Sequence, residues 1–199
     1  TLQDPLGNLG QGAINQQWMF RMIGGKTFHR WVITKKWFPS VGFVMRHDQA
    51  QLNNESPYTR WALNGQIGSE LLLDQMEWNL SLQSHWLSNQ SSQLNWVPKT
   101  SLLWHVSNQD HIWLSAVGGF RPPDFTELYG NRGAIVGNPN LIPETGRTLD
   151  TGWTHNHLSH WLNRIQIGGY WRESQHEIIF VQNAQRQSIP LNFEATRTM

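Results

Sequence analysis

At 199 residues with 15 basic and 14 acidic side chains, the chain is long enough for one domain and carries a formal charge of only +1. No basic stripe interleaved with aromatics is present, and Lys26, Arg30, Lys35 and Lys36 are too scattered to make one, which excludes a nucleic-acid surface. Cysteine is absent, so there is no disulfide framework, thiolate zinc site or cysteine nucleophile; tryptophan occurs 12 times against an average expectation of about two or three, in a chain whose mean hydropathy is -0.51. No apolar run approaches the roughly 20 residues of a membrane helix. Abundant Trp in a polar chain suits either a membrane β-barrel, where polar lumen positions dilute lipid-facing ones, or a soluble Trp-rich β-sandwich or propeller that binds carbohydrate.

The chain opens at Thr1 in a polar stretch without a secretory signal, as expected of mature or internal sequence. Strands are predicted at Gly12–Ile23 and Thr27–Trp37, joined by a hairpin at Gly24–Gly25, and then at Val41–His47. The clearest patterns follow. From Arg60 to Leu73 one face reads Trp61, Leu63, Gly65, Ile67, Ser69, Leu71, Leu73; the other reads Arg60, Ala62, Asn64, Gln66, Gly68, Glu70. In the next segment Met76, Trp78, Leu80, Leu82, Ser84 and Trp86 alternate with Glu77, Asn79, Ser81, Gln83 and His85. Period two sustained this long means strands with one apolar and one polar face, since a helix would group apolar residues three and four apart.

Further strands are expected at Lys99–Val106, Asp110–Arg121, Arg147–His157, Trp161–Trp171 and from Pro190 onward, about ten in all. No propeller-length repeat separates them. Short links at Phe38–Ser40, Asp74, Ser107–Gln109 and Ser159 alternate with long polar links at Gln49–Tyr58, Asn89–Val97, Pro122–Glu144 and Asn183–Ser188. Outer-membrane barrels have tight turns on one side and long loops on the other. Trp37, Trp78, Trp104, Trp113, Trp153 and Trp161 fall near the short links, and Trp61, Trp86, Trp96 and Trp171 near the opposite ends, as two aromatic belts would.

Residues 119–144 read GFRPPDFTELYGNRGAIVGNPNLIPE. The prolines end ladder pairing at Arg121, and Gly137 with Asn138-Pro139 favours turns. Arg121 and Glu144 bound the loop and are placed to pair across its base. This stretch resembles the hallmark of TonB-dependent outer-membrane receptors, in which a strand ends in F-R-x-P-x-F-x-E-L-Y and the following loop carries G-N-P-x-L-x-P-E. The matching positions are Phe120, Arg121, Pro123, Phe125, Glu127, Leu128 and Tyr129, then Gly137, Asn138, Pro139, Leu141, Pro143 and Glu144. The likeness continues more weakly from Arg60 to Met199, through Tyr170–Ile179 and Asn192–Arg197; before Arg60 only the strand pattern agrees.

The resemblance implies an all-β, antiparallel meander forming part of a large transmembrane barrel, with residues 1–199 lying wholly in the barrel domain and neither the plug nor the C-terminal strand among them. It implies an outer membrane of a Gram-negative bacterium, lipid around the barrel, an inner-membrane TonB complex reached through other parts of the protein, and energy-dependent uptake of a small molecule of the siderophore, haem, cobalamin or glycan class. The motif residues are expected to organise the loop and the hairpin beneath it, with direct ligand contact the alternative. No ligand-binding residue follows from the pattern, and a passive porin-like barrel is a further possibility.

No resident cofactor, metal site or catalytic residue is expected. His155 and His157 share a strand face, but His160 lies across a turn and no carboxylate completes a site. His47-Asp48 and Asp110-His111 lack a nucleophile elbow or second catalytic pair, so an enzyme is not indicated. Glu70, Glu77, Asp150 and Arg164 sit on polar faces and are expected to be solvated lumen residues.

Overall fold

A computed structural model describes residues 2–4, 14–53, 56–89, 94–132, 135–156 and 163–198. Short strands β1 (Leu2–Asp4) and β2 (Ile14–Gln16) pair with each other. The main sheet is an antiparallel meander of nine long strands: β3 (Trp18–Arg30), β4 (Trp37–Leu52), β5 (Tyr58–Leu72), β6 (Met76–Leu87), β7 (Asn95–His105), β8 (Asp110–Arg121), β11 (Glu144–Asn156), β12 (Arg164–Gln182) and β13 (Ser188–Thr198). Between β8 and β11 lie the helix α1 (Phe125–Tyr129) and the two-residue strands β9 (Asn131–Arg132) and β10 (Ile135–Val136), which attach to β13 and bring the sheet to 11 strands. Among the described residues no helix is long and apolar enough to cross a membrane, which says nothing of strands.

Register fixes the two faces, because residues directly opposite in an antiparallel ladder point the same way. One row runs Trp37–Leu71–Trp78–Leu102, and another Met76–Trp104–Ile112–Trp153–Ile167. Leu80, Leu82, Ile67, Leu114 and Leu149 share this outward face by the same registers. Ile67 is 59% and Trp96 58% exposed, so among the described residues no second sheet covers the face, which a β-sandwich would require. The inward face carries Asn64, Gln66, Glu70, Asn79, Gln83, His85, Ser101 and Ser115.

Several expectations are corrected. Gly24 and Gly25 make no hairpin: both lie inside β3, and the chain reverses within residues 31–36, so Thr27–Trp37 is not one strand and Phe38–Ser40 belongs to β4. Gly24 serves a close approach instead, since a Cβ there would sit 2.6 Å from the Met45 carbonyl oxygen. The segment expected at Trp161–Trp171 starts at Arg164 and runs unbroken to Gln182. Of the first two expected strands one long strand, β3, remains, so the described residues hold nine long strands where about ten were expected.

Link lengths do not alternate as cleanly as predicted. Residues 31–36 form a longer connection than 53–57, because the polar stretches at Gln49–Leu52 and Asn95–Val97 continue the ladder. Backbone pairing does not require apolar side chains, so strands extend into polar ends that sequence reads as loop. Sidedness survives, with residues 53–57, 88–94, 122–143 and 183–187 at one end and 31–36, 73–75 and 106–109 at the other. Ser159, His157, His160 and Trp161 lie outside the described residues. Trp113 leaves the expected belt: it pairs opposite Gly152 on the inward face, and its ring lies against Gly152 and Gly168.

Candidate functional site

The chain's tight packing gathers at the loop end of the inward face, around the 122–143 segment. Pro122 and Pro123 stop β8, and Asp124 caps α1: its carboxylate accepts from Glu127 N at 2.7 Å while Glu127 Oε2 accepts from Asp124 N at 2.8 Å. That reciprocal capping box turns the F-T-E-L-Y part of the motif into a short helix with Phe125, Glu127 and Leu128 buried. The sequence reading named no helix in this loop; a five-residue helix is too short for periodicity to reveal, although Asp124 with Glu127 three residues on was the available signal.

Three ties hold the segment across the concave sheet. On the β4–β5 side, Arg60 Nη1 donates to the Pro123 carbonyl at 2.9 Å, its guanidinium lies 4.9 Å from the Phe125 ring centroid, and Tyr58 stacks on Tyr129 at 4.0 Å. At its base, Arg121 donates through Nε to Glu144 at 2.8 Å and through Nη1 to Glu127 at 3.1 Å. On the far side, Asn138 Nδ2 donates to the Pro190 carbonyl at 3.1 Å, and Asn192 donates to the carbonyls of Ile142 at 3.0 Å and His176 at 2.7 Å. A small cluster of Leu128, Leu141 and Ile178, with Tyr129 against it, fills the space beneath. The segment is therefore a strap reaching from β5 across to β13.

Most motif positions have a physical task in this strap. Pro123 is fully buried at the Arg60 contact. Gly137 is required by close approach, since a Cβ there would fall 2.5 Å from Gly130 N and 2.7 Å from Tyr129 N. Asn138 Oδ1 accepts from Asn140 N at 3.0 Å, forming the turn through Pro139. Glu144 Oε1 accepts from Ile178 N at 2.7 Å, joining the strap's base to β12. Phe120 lies outside the strap, stacked on His85 at 5.0 Å, and no contact of the Pro143 side chain stands out.

Electrostatics reinforce the base. Arg121 and Glu144 occupy the last residue of β8 and the first of β11, at the rim beyond the apolar outward positions, which on β11 begin at Leu149. The Arg121 hydrogen bond holds the Glu144 carboxyl below its ordinary value against partial desolvation, with the Ile178 amide helping. Glu144 in turn raises the Arg121 guanidinium, and Glu127 adds to this.

Sequence reading missed the Asp48–Arg60 pair beneath the strap. Both are buried, at 5% and 6% exposure, and Arg60 Nη2 donates to Asp48 Oδ2 at 3.2 Å; Arg46 Nε lies 2.6 Å from the other carboxylate oxygen. They lie 12 residues apart in neighbouring strands, so only the Asp48↔Arg60 register could reveal them. Glu70 pairs with Arg30 at 2.7 Å, and His155 lies 2.8 Å from Asp110; His157 and His160 lie outside the described residues. Among the described residues no group of three or more His, Cys, Asp or Glu forms a metal cage.

Comparison with known proteins agrees with this geometry. The sequence model of the family described as TonB dependent receptor-like, beta-barrel matches residues 34–198, most of the chain. No curated protein sequence matches it. Among solved structures, the siderophore receptor PirA from Pseudomonas aeruginosa superposes with a TM-score of 0.73 at 13% identity, over 90% of this chain and 35% of that one. The copper transporter OprC gives 0.74 at 12% identity, over 98% and 35%. The Serratia marcescens hemophore receptor HasR, solved with its hemophore HasA and heme, gives 0.69 at 12% identity, over 92% and 38%. The chain thus spans about a third of the length of these structures, and at such identities they show the fold alone. By the match over residues 34–198, the chain belongs to the TonB-dependent receptor β-barrel family of outer-membrane transport proteins.

Proposed function

We propose that these residues form part of the barrel wall of an outer-membrane receptor that takes up a scarce nutrient using energy from an inner-membrane TonB complex. Residues 1–199 belong to the barrel domain on this reading, and the plug lies elsewhere in the protein. The observation that carries it is the strap: a loop tied to β5, to its own base and to β13 narrows the mouth of the gutter, as suits a gated receptor more than an open pore.

The outward face supports a bilayer setting. At the loop end of this face Arg147 and Arg197 flank Glu173 across three strands, with Leu149 and Trp171 just below, and at the turn end Asp110 lies beside His155. Apolar positions bounded by charge and aromatics are what an outer-membrane strand presents to lipid and headgroups. The similar structures include a siderophore receptor, a copper transporter, an iron transporter and a hemophore receptor with heme, so the cargo class proposed is a metal, metal chelate or haem. The motif residues act chiefly as organisers of the strap.

The test is uptake by cells carrying the full-length receptor, supplied in turn with a ferric siderophore, haemin or cyanocobalamin. Uptake of one of them that stops when the proton-motive force is collapsed supports the proposal. Equal flux after collapse would identify a passive pore, and recovery of the full-length protein in the soluble fraction would refute the membrane setting.

A further inference from the structure

We propose a copper(II)-binding site on the inward face, built by His105 and His111 and oriented by Glu77. The two histidines are directly opposed in the β7–β8 ladder, the last pair before the turn. Their Nδ1 atoms lie 2.9 Å apart, and the far nitrogen of His105, Nε2, lies 3.2 Å from Glu77 Oε1 on β6.

The pair offers two imidazole nitrogens. Their 2.9 Å separation is that of an Nδ1–H···Nδ1 hydrogen bond, so the rings pivot to turn both lone pairs onto one ion. Imidazole nitrogen suits Cu2+, the tightest-binding divalent ion of the first row. In the metal-free state His111 Nδ1 carries the proton and donates it to His105 Nδ1; on metal binding the rings pivot and His111 takes its other tautomer, with the proton on Nε2. Glu77 accepts from Nε2–H of His105, which leaves Nδ1 as the free donor atom and makes it more basic, as an outer carboxylate does for metal-bound histidine.

The hairpin holds the pair in place. Ser107 Oγ accepts from Gln109 N at 3.1 Å and from Asp110 N at 3.0 Å, and donates to Asp110 Oδ2 at 2.8 Å. The turn is thus tied internally, and the histidines gain little freedom by losing the ion. His105 is about one-third exposed, so an ion can enter from the lumen, with water or a cargo ligand filling its remaining positions. The sequence signal is His-x5-His spanning a tight turn, with Glu77 brought in by the neighbouring strand.

The site goes beyond the uptake reading and is tested without it, by titrating Cu2+ into the tag-free full-length receptor in detergent, with glycine as competitor. Expected is one tight Cu2+ whose electron paramagnetic resonance shows nitrogen coupling from two imidazoles. His105→Asn and His111→Asn should each weaken binding at least about tenfold, and Glu77→Gln by about 10–100-fold with the signal shape kept. His155→Asn, on the outward face, should change nothing. Should a variant misfold, diethyl pyrocarbonate labelling of the unaltered receptor serves instead, with Cu2+ protecting His105 and His111 together. Unchanged affinity in the double His variant, or labelling of both histidines undiminished by Cu2+, overturns the proposal.

Discussion

Replacing Arg60 with Met tests whether the strap is pinned by a buried charge. The substitution keeps an unbranched stem but removes the donor to the Pro123 carbonyl, the partner of Asp48 and the cation over Phe125. Breaking a buried ion pair costs about 3–5 kcal/mol, because the charge left behind stays desolvated. Arg46 remains beside Asp48, which places the loss near the lower end, at about 3 kcal/mol. The unmet Pro123 carbonyl adds about 1 kcal/mol, so Arg60→Met should destabilise by about 4 kcal/mol. Removing the carboxylate as well, in Asp48→Leu/Arg60→Met, relieves the uncompensated charge, and the double variant should be milder than Arg60→Met alone. The assay is urea titration of the full-length protein folded into lipid vesicles, combined with limited proteolysis between Gly130 and Gly137. A double variant no more stable than the single one, or strap cleavage as slow as in the unaltered protein, would refute the reasoning.

Leu82 faces outward and Gln83 inward, so Leu82→Arg should cost about 2–4 kcal/mol near the bilayer midplane, Gln83→Arg under about 1, and Leu82→Phe almost nothing against lipid; the same vesicle titration reads all three. Gly137→Ala places a Cβ against the backbone of Gly130 and Tyr129, and should cost about 1–3 kcal/mol and speed strap proteolysis. Because Glu144 is held below its ordinary 4.5, its contribution is complete above that value and is lost as pH falls below it through the depressed value. Strap cleavage by an acid-active protease should therefore accelerate below about pH 4.5, and Glu144→Gln should flatten that dependence.

Alternation over Arg60–Leu73 and Met76–Trp86 was enough to establish a two-faced antiparallel sheet, because period two has one structural meaning whatever surrounds it. The ends of Asp110–Arg121 were legible to the residue, since a turn signal and a proline pair bound that strand chemically. Where those signals were ambiguous the reading failed: Gly24-Gly25 looks the same as a turn and as a close strand contact, and only the partner strand distinguishes them. Trp113 was assigned to a belt by its distance from a turn, whereas its face is set by register against Gly152. The motif named the loop, and its prolines and Asn138 turn were readable locally. That the loop is a strap was decided by partners 12 to 63 residues away, Asp48 with Arg60 and Arg60 with Pro123. Local sequence fixes backbone preference and side-chain polarity; which buried charge meets which carbonyl depends on strand register and sheet curvature, and those exist only in the folded chain.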